Sequence, residues 1–462
     1  MPLTDDVIYG GILVLSVTFG HLVKNTKGPQ KRQLLCTATG AGVIFLTVGF
    51  NILHSLVTTL ITCLIIQLTG PKKCHIYSTI WCFGYLGFFR TCHYFGFPKA
   101  PPVSNAAQLF LTLRLTGLAY EIYDSYMTRK SEDLTKEEKE IRVKYQCINP
   151  STIDILHYAY CYIGQFTGPY YRYRTYYDMI HNENTDNVPS IDPAIKRAKD
   201  LPLVIVSYLF FSYFFTIEYV KTDEFYLEPF WFRLFYMVPM FIVFRTRLYI
   251  AWVLSECMSM MATLGAYPKL SVPKCGKGPT DLKALDESLS KKENIEYDYE
   301  TIHNLSIWGC ELGPTTREGL RSWNMTVQYW LAAYCHHRIP RNLKAYRIAI
   351  TMSVSAYWHG VFPGYYLSFL LVPVILLAED AMIAAFRNGS EKRKEMFDWV
   401  CWFFKMRGFD YMCMGFLLLR LDYTLSYWSS IFFLGHVVTI VFLVTAKMFH
   451  KKSVKTDERK TS

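Results

Sequence analysis

Residues 349–378 read AITMSVSAYWHGVFPGYYLSFLLVPVILLA, thirty positions without one Asp, Glu, Lys or Arg. A hydrocarbon core about 30 Å thick takes roughly 20 apolar residues as helix. The run is long enough to cross a bilayer, and a histidine, His359, sits inside it.

Windows of the same kind recur on both sides. The best are VIYGGILVLSVTFGHLV (7–23), ILHSLVTTLITCLIIQLT (52–69), LPLVIVSYLFFSYFFTIEY (201–219), FPGYYLSFLLVPVILLA (362–378) and SIFFLGHVVTIVFLVTA (430–446). Shorter or polar-spotted candidates lie at 34–50, 76–92, 104–123, 153–168, 230–266, 323–335 and 399–419. The pattern predicts an all-α, multi-pass integral membrane protein with about ten or eleven transmembrane or re-entrant helices. Re-entrant pieces are admissible where protein or water satisfies their backbone. One membrane domain is expected over 1–450, followed by a polar, basic tail at 451–462.

Composition agrees. The 462 residues are 51% hydrophobic and 16% aromatic, with 19% charged and a mean hydropathy of +0.13, whereas soluble domains carry about 25% charged residues. The net charge of +11 gathers in loops, as the positive-inside rule requires. Nucleic acid is not needed to explain it. Lys24, Lys27, Lys31 and Arg32 put the loop after the first span in the cytoplasm. That span follows Asp5 and Asp6 rather than a basic region, so it reads as retained, not as a cleaved leader. Thirteen scattered cysteines contain no C-x-x-C pair, which points away from a zinc ribbon or a disulfide framework. No fixed-period repeat is visible, which weakens a transporter built from duplicated halves.

Two polar stretches separate the spans. Residues 123–146 mix both charge signs and read as an exposed helix. Residues 268–300 read as an irregular loop. The final residues, RKTS, set Arg459 and Lys460 where a basic endoplasmic-reticulum retrieval pair would stand. An ordinary cytoplasmic basic flank is the favoured reading of them.

Ionisable groups inside apolar spans are costly and mark function by default. His54, His93, His157, His359, His436 and Arg114 all lie in or near such windows. Most intramembrane histidines are hydrogen-bonded structural groups. His359 differs in its setting, between Trp358 and Gly360, where glycine lets a backbone or substrate come close. Asn324 precedes it by 35 positions. It belongs to WNMTVQYW (323–330), a formal sugar acceptor embedded among aromatics. A surface decoration, a buried structural amide and half of an active site all remain open for it. Asn304-Leu-Ser306 and Asn388-Gly-Ser390 are further acceptor patterns, usable only in a luminal loop.

RSWNMTVQYWLA (321–332) and SAYWHGVFPGYYLSF (355–369) together resemble the signature of the membrane-bound O-acyltransferase family. In that family an asparagine or acidic residue precedes an intramembrane histidine by a few tens of residues. Asn324 and His359 stand at those two positions. GPYYRYRTYYD (168–178), RLFYMVP (233–239), EYDYETI (296–302) and FDYMCMGF (409–416) are similar to stretches of its lysophosphatidylinositol acyltransferase branch. The likeness runs from about residue 45 to about 435.

The resemblance implies helices around an internal tunnel in the endoplasmic reticulum membrane. It implies transfer of an acyl group, polyunsaturated such as arachidonoyl, from acyl-coenzyme A to the sn-2 hydroxyl of a lysophospholipid, first of all lysophosphatidylinositol, in phospholipid remodelling. His359 would be the general base and Asn324 the amide serving the thioester. By their side-chain chemistry Tyr170, Tyr171 and Trp358 are candidate tunnel walls, although packed membrane helices use such aromatics anyway, and Arg172 and Arg174 are candidate phosphate contacts or, equally, a positive-inside flank. The partners implied are acyl-coenzyme A as co-substrate, the lysolipid and the bilayer, with no metal and no resident cofactor. Other lysophospholipids, a sterol or a protein are alternative acceptors within the family. A channel or transporter with interior His and Arg is the alternative outside it.

Overall fold

The computed structural model describes residues 3–99, 101–291 and 295–460, with side chains from Asp6 to Phe449. The side chains of the basic tail, including Arg459 and Lys460, and the side chain of Asp5 lie outside the described residues. The described chain is mostly helical. Its one sheet is a two-residue antiparallel pair, Tyr267–Pro268 with Tyr297–Asp298.

Among the described residues five helices are long and apolar enough to cross a membrane, or six with the bent pair Leu421–Ser430 and Leu434–Phe449, whose axes differ by 66°. One of the five, Pro29–Phe95, is 67 residues long and holds the expected crossings at 34–50, 52–69 and 76–92. It is interrupted at Gly49 (φ 57°) and at Gly70 (φ 65°), just before Pro71. Proline removes a helical hydrogen bond, and glycine accepts the left-handed backbone that the bend needs.

The chain forms two compact units. The first runs from the N-terminus to Leu201 and adds Ile250–Leu305 and Asn324–Arg338. In it, helices Ile52–Thr91 and Pro102–Lys130 pack along their length. The buried face of the former is mostly small residues, among them Ser55, Thr58, Thr59, Thr62, Cys63, Ser78 and Cys82, with Leu86 and Phe89 toward its end. Small side chains let membrane helices approach, and their hydroxyls bond back to the helix or across it. Gln108 Nε2 donates to Thr58 Oγ1 at 2.7 Å.

The expected span at 153–168 is helical only over Thr152–Ala159. An irregular, buried segment follows, and Arg114 explains it. Its guanidinium donates to the carbonyls of Tyr158 (3.4 Å), Ala159 (3.3 Å) and Cys161 (3.2 Å), and to that of Ile163. Backbone that leaves the helix at membrane depth persists only with such partners.

The described residues of 268–300 are not all irregular. They hold Pro268 and Tyr297–Asp298 of the sheet pair and the helix Leu282–Lys291, whose Leu282 and Leu285 pack with Tyr267. Residues 123–146 form the end of Pro102–Lys130 and the separate helix Lys136–Tyr145, opened by a capping box between Thr135 and Glu138.

The second unit comprises Pro202–Tyr249, Ser306–Trp323 and the chain from Ile339 onward. Its core gathers Phe225, Tyr236, Met240, Tyr411, Met414, Tyr427 and Trp428. Tyr411 and Trp428 stack with centroids 5.0 Å apart. Helix Pro363–Phe386 meets helix Glu391–Leu418 at Gly364, Ser368 and Gly415, with Ser368 Oγ donating to Met412 O at 2.7 Å. A Cβ at Gly364 would collide with the carbonyl of Gly415, so the close approach depends on glycine.

Candidate active site

The apolar run 349–378 is two helices, Arg347–His359 and Pro363–Phe386, broken at Gly360–Phe362. Pro363 starts the second helix, where its missing N–H costs nothing. His359 is therefore the last residue of a helix that stops inside an apolar sequence. It is half-buried in the second unit.

Four rings surround the imidazole. Phe369 stacks on it at 5.1 Å and 24°, Tyr365 lies at 6.0 Å and 30°, Phe416 stands edge-on at 5.1 Å and 77°, and Trp358 is 4.7 Å away. Gly360 allows this, because any Cβ there would collide with the Tyr365 ring. Phe416 is also 5.1 Å from Phe244, which stacks on Trp323 at 6.3 Å. Trp358 itself is buried.

Asn324 belongs to the first unit and precedes the helix Met325–Tyr334. With φ 48° and ψ 49° it is left-handed, a conformation asparagine tolerates better than most residues. Its side chain makes no cap bond, and its Oδ1 is buried without a hydrogen-bond partner. The first two N–H groups of the helix go to Asn304 instead. Met325 N donates to Asn304 O at 2.8 Å and Thr326 N to Asn304 Oδ1 at 3.1 Å.

Thr326 ties Tyr170 to the same turn, its Oγ1 accepting from Tyr170 N at 2.8 Å. Tyr170 and Tyr171 are both buried. Tyr171 Oη donates to Ile163 O at 2.8 Å, and its ring lies under Arg114. The two arginines of the same stretch face carboxylates. Arg172 pairs with the buried Glu121 at 3.3 Å and Arg174 with Asp178 at 2.8 Å. Glu121 also accepts from Tyr173 N and Arg174 N, where a carboxylate complements a helix N-terminus.

Three of the other histidines singled out in the sequence have hydroxyl partners. His54 is bonded to Tyr85, His157 to Thr37 and His436 to Tyr411, at 2.9, 2.8 and 2.8 Å. Asn304 is fully buried, which leaves its acceptor pattern no room for a sugar, and Asn388 is exposed at a turn. The residues that sequence reasoning passed over are Asn304, Glu121 and Phe416. Asn304 carried only its acceptor pattern, which pointed to a glycan, and Phe416 only its place at the end of FDYMCMGF.

The match to known proteins is extensive. Residues 69–418 fit the model of the membrane-bound O-acyltransferase family. The chain is 43% identical over 452 residues to the membrane-bound acylglycerophosphatidylinositol O-acyltransferase mboat7 of Xenopus laevis, covering 97% of this chain and 95% of that one. The human protein of the same description is 42% identical over 440 residues, covering 95% and 93%. A Drosophila melanogaster relative with that description is 33% identical over 449 residues, covering 94% and 90%. With a family match over most of its length and such identity to these relatives, the chain belongs to the membrane-bound O-acyltransferase family.

Proposed function

We propose that this enzyme acylates the sn-2 hydroxyl of lysophosphatidylinositol, taking a polyunsaturated chain such as arachidonoyl from acyl-coenzyme A, in the endoplasmic reticulum membrane. The observation that carries the acceptor is identity over nearly the whole chain to acylglycerophosphatidylinositol O-acyltransferases. Residues 1–450 would act as one membrane domain and 451–462 as its basic tail. Family membership takes the chain out of the channel and transporter class.

In the proposed step His359 removes the hydroxyl proton as the oxygen attacks the thioester carbonyl. The tetrahedral oxyanion receives a hydrogen bond from the Asn324 amide, an interaction worth about 3 kcal/mol or more in comparable sites. Collapse breaks the carbon–sulfur bond, and coenzyme A leaves as thiolate, a group with a pKa of about 8.5. No metal enters the step. The Asn324 Oδ1 is not spent on capping its helix, and the amide nitrogen beside it would be the donor the oxyanion needs. The aromatic enclosure of His359, with Trp358 part of it, supports a site that keeps water from the thioester. Arg172 and Arg174 would meet the lipid phosphate only by sharing their guanidinium groups with Glu121 and Asp178.

The test is acyl transfer from arachidonoyl-coenzyme A to a panel of lysophospholipids, using purified wild type, His359→Ala and Asn324→Ala. Preferred transfer to lysophosphatidylinositol, lost in folded His359→Ala, is the expected result. Preference for another acceptor would discard the head group, and full activity without His359 would discard the base.

A further inference from the structure

We infer that Asn304 is a positioning residue for acyl transfer, one that takes over the capping of helix Met325–Tyr334 so that the Asn324 carboxamide is not turned toward the helix start and can present its Nδ2 to substrate. This rests on the role proposed above for Asn324.

An asparagine at a helix N-cap ordinarily sits in extended backbone and spends its side-chain oxygen on the N–H of the second or third helical residue. Asn324 does neither. Its backbone is left-handed, it makes no side-chain cap bond, and its Oδ1 is buried without a partner. The free N–H groups of a helix start still need acceptors. Asn304 supplies two of them, its carbonyl to Met325 N at 2.8 Å and its Oδ1 to Thr326 N at 3.1 Å. The same Oδ1 receives the Thr326 hydroxyl at 2.5 Å. Two donors on one atom identify it as the oxygen of the amide, which leaves Nδ2 buried with no partner.

Asn304 is anchored in turn. Its N–H and that of Leu305 both donate to Glu256 Oε1 at 3.1 Å. Glu256 is fully buried and is held by Arg197 through contacts of 2.5 and 2.8 Å. On the other side Thr326 Oγ1 accepts from Tyr170 N at 2.8 Å. The frame Arg197, Glu256, Asn304, Thr326 and Tyr170 thus fixes the turn from below while asking nothing of the Asn324 side chain. A residue that served only folding would have no reason to relieve Asn324 of its cap.

The experiment is a double-mutant cycle on the full-length protein in detergent, with arachidonoyl-coenzyme A and lysophosphatidylinositol. Asn304→Ala is expected to lower kcat about 100-fold through misplacement, with KM for both substrates within about twofold. Added to Asn324→Ala, it should cost no more than about a further twofold, because the two act as one unit. Losses that multiply in the double variant, or unchanged kcat in Asn304→Ala beside an impaired Asn324→Ala, would overturn the inference alone. Full activity of Asn324→Ala would instead remove the role of Asn324 and this inference with it. Should Asn304→Ala fail to fold, Thr326→Val and Thr326→Ser decide. The valine variant is expected to lose kcat about tenfold and the serine variant to restore it, whereas full kcat in Thr326→Val would overturn the proposal.

Discussion

His359 stacks on Phe369 with ring centroids 5.1 Å apart and 24° between the planes. Phe416 closes the adjacent side edge-on, also at 5.1 Å. An imidazole between a face and an edge has few rotamers left, which suits a base that must meet one hydroxyl. His359→Gln keeps a polar side chain of similar reach but cannot accept a proton near neutral pH. It is expected to lose about 10²- to 10⁴-fold in kcat, the usual worth of general base catalysis. Phe416→Leu should lose about tenfold by loosening the ring. Steady-state kinetics beside thermal unfolding in detergent separates these from loss of fold, and a His359→Gln enzyme as fast as wild type would remove the base.

Asn324→Gly isolates the amide from the backbone. Glycine occupies left-handed space without the Cβ penalty, so the turn at φ 48° survives and only the carboxamide is lost. The expected result is a fall in kcat of about 10²- to 10³-fold with an unfolding temperature close to wild type. Asn324→Ala adds a left-handed strain of roughly 1 to 2 kcal/mol, and it should therefore unfold earlier as well. A glycine variant of normal activity would show that the amide is dispensable.

Which parts of this were legible follows from what each signal measures. Apolar length is local, so spans such as 7–23 and 362–378 stand out in the sequence, and they coincide with helices Leu3–Asn25 and Pro363–Phe386. The broken segment after Ala159 is not local. It exists because a guanidinium 44 positions away in sequence meets Tyr158 O, with further bonds onward to Ile163. The carboxylates facing Arg172 and Arg174 differ in the same way. Asp178 is one helical turn from Arg174 and could be read from spacing, whereas Glu121 comes from another helix. Asn304 misled because a three-residue acceptor pattern carries no information on burial. Its bonds to Met325 and Thr326 arise only once the chain has folded.

Arg114 should be the most stability-sensitive of the interior cations. It is buried at 3% exposure and serves carbonyls at Tyr158, Ala159, Cys161 and Ile163. Arg114→Met keeps the length and removes every donor. Each carbonyl left buried and unpaired costs about 1 to 3 kcal/mol, so a large fall in unfolding temperature or loss of the folded peak on size exclusion is expected. Arg114→Lys retains the charge but not the planar fork, and it should fall between the two. An Arg114→Met protein as stable as wild type would mean that the irregular segment holds itself together.

The last prediction concerns pH and the loop that carries Asn304. His303 Nδ1 lies 3.0 Å from Glu300 Oε2 and Nε2 lies 3.0 Å from Leu305 O, both of them acceptors. Only the doubly protonated ring satisfies both. Burial and the charge of Arg197 work against that form, but the Glu300 hydrogen bond and the charges of Glu256 and Glu300 outweigh them and raise the pKa above its ordinary value. A raised pKa stabilises the fold fully below the unfolded value of about 6.5 and ceases to do so as pH climbs through the folded value. Wild type should therefore lose thermal stability relative to His303→Gln as pH rises from about 6.5, with the two alike once the ring is neutral. Unfolding temperatures of both proteins in one detergent, taken stepwise across that range, check the sign, and parallel curves would show that His303 is not charged in the folded loop.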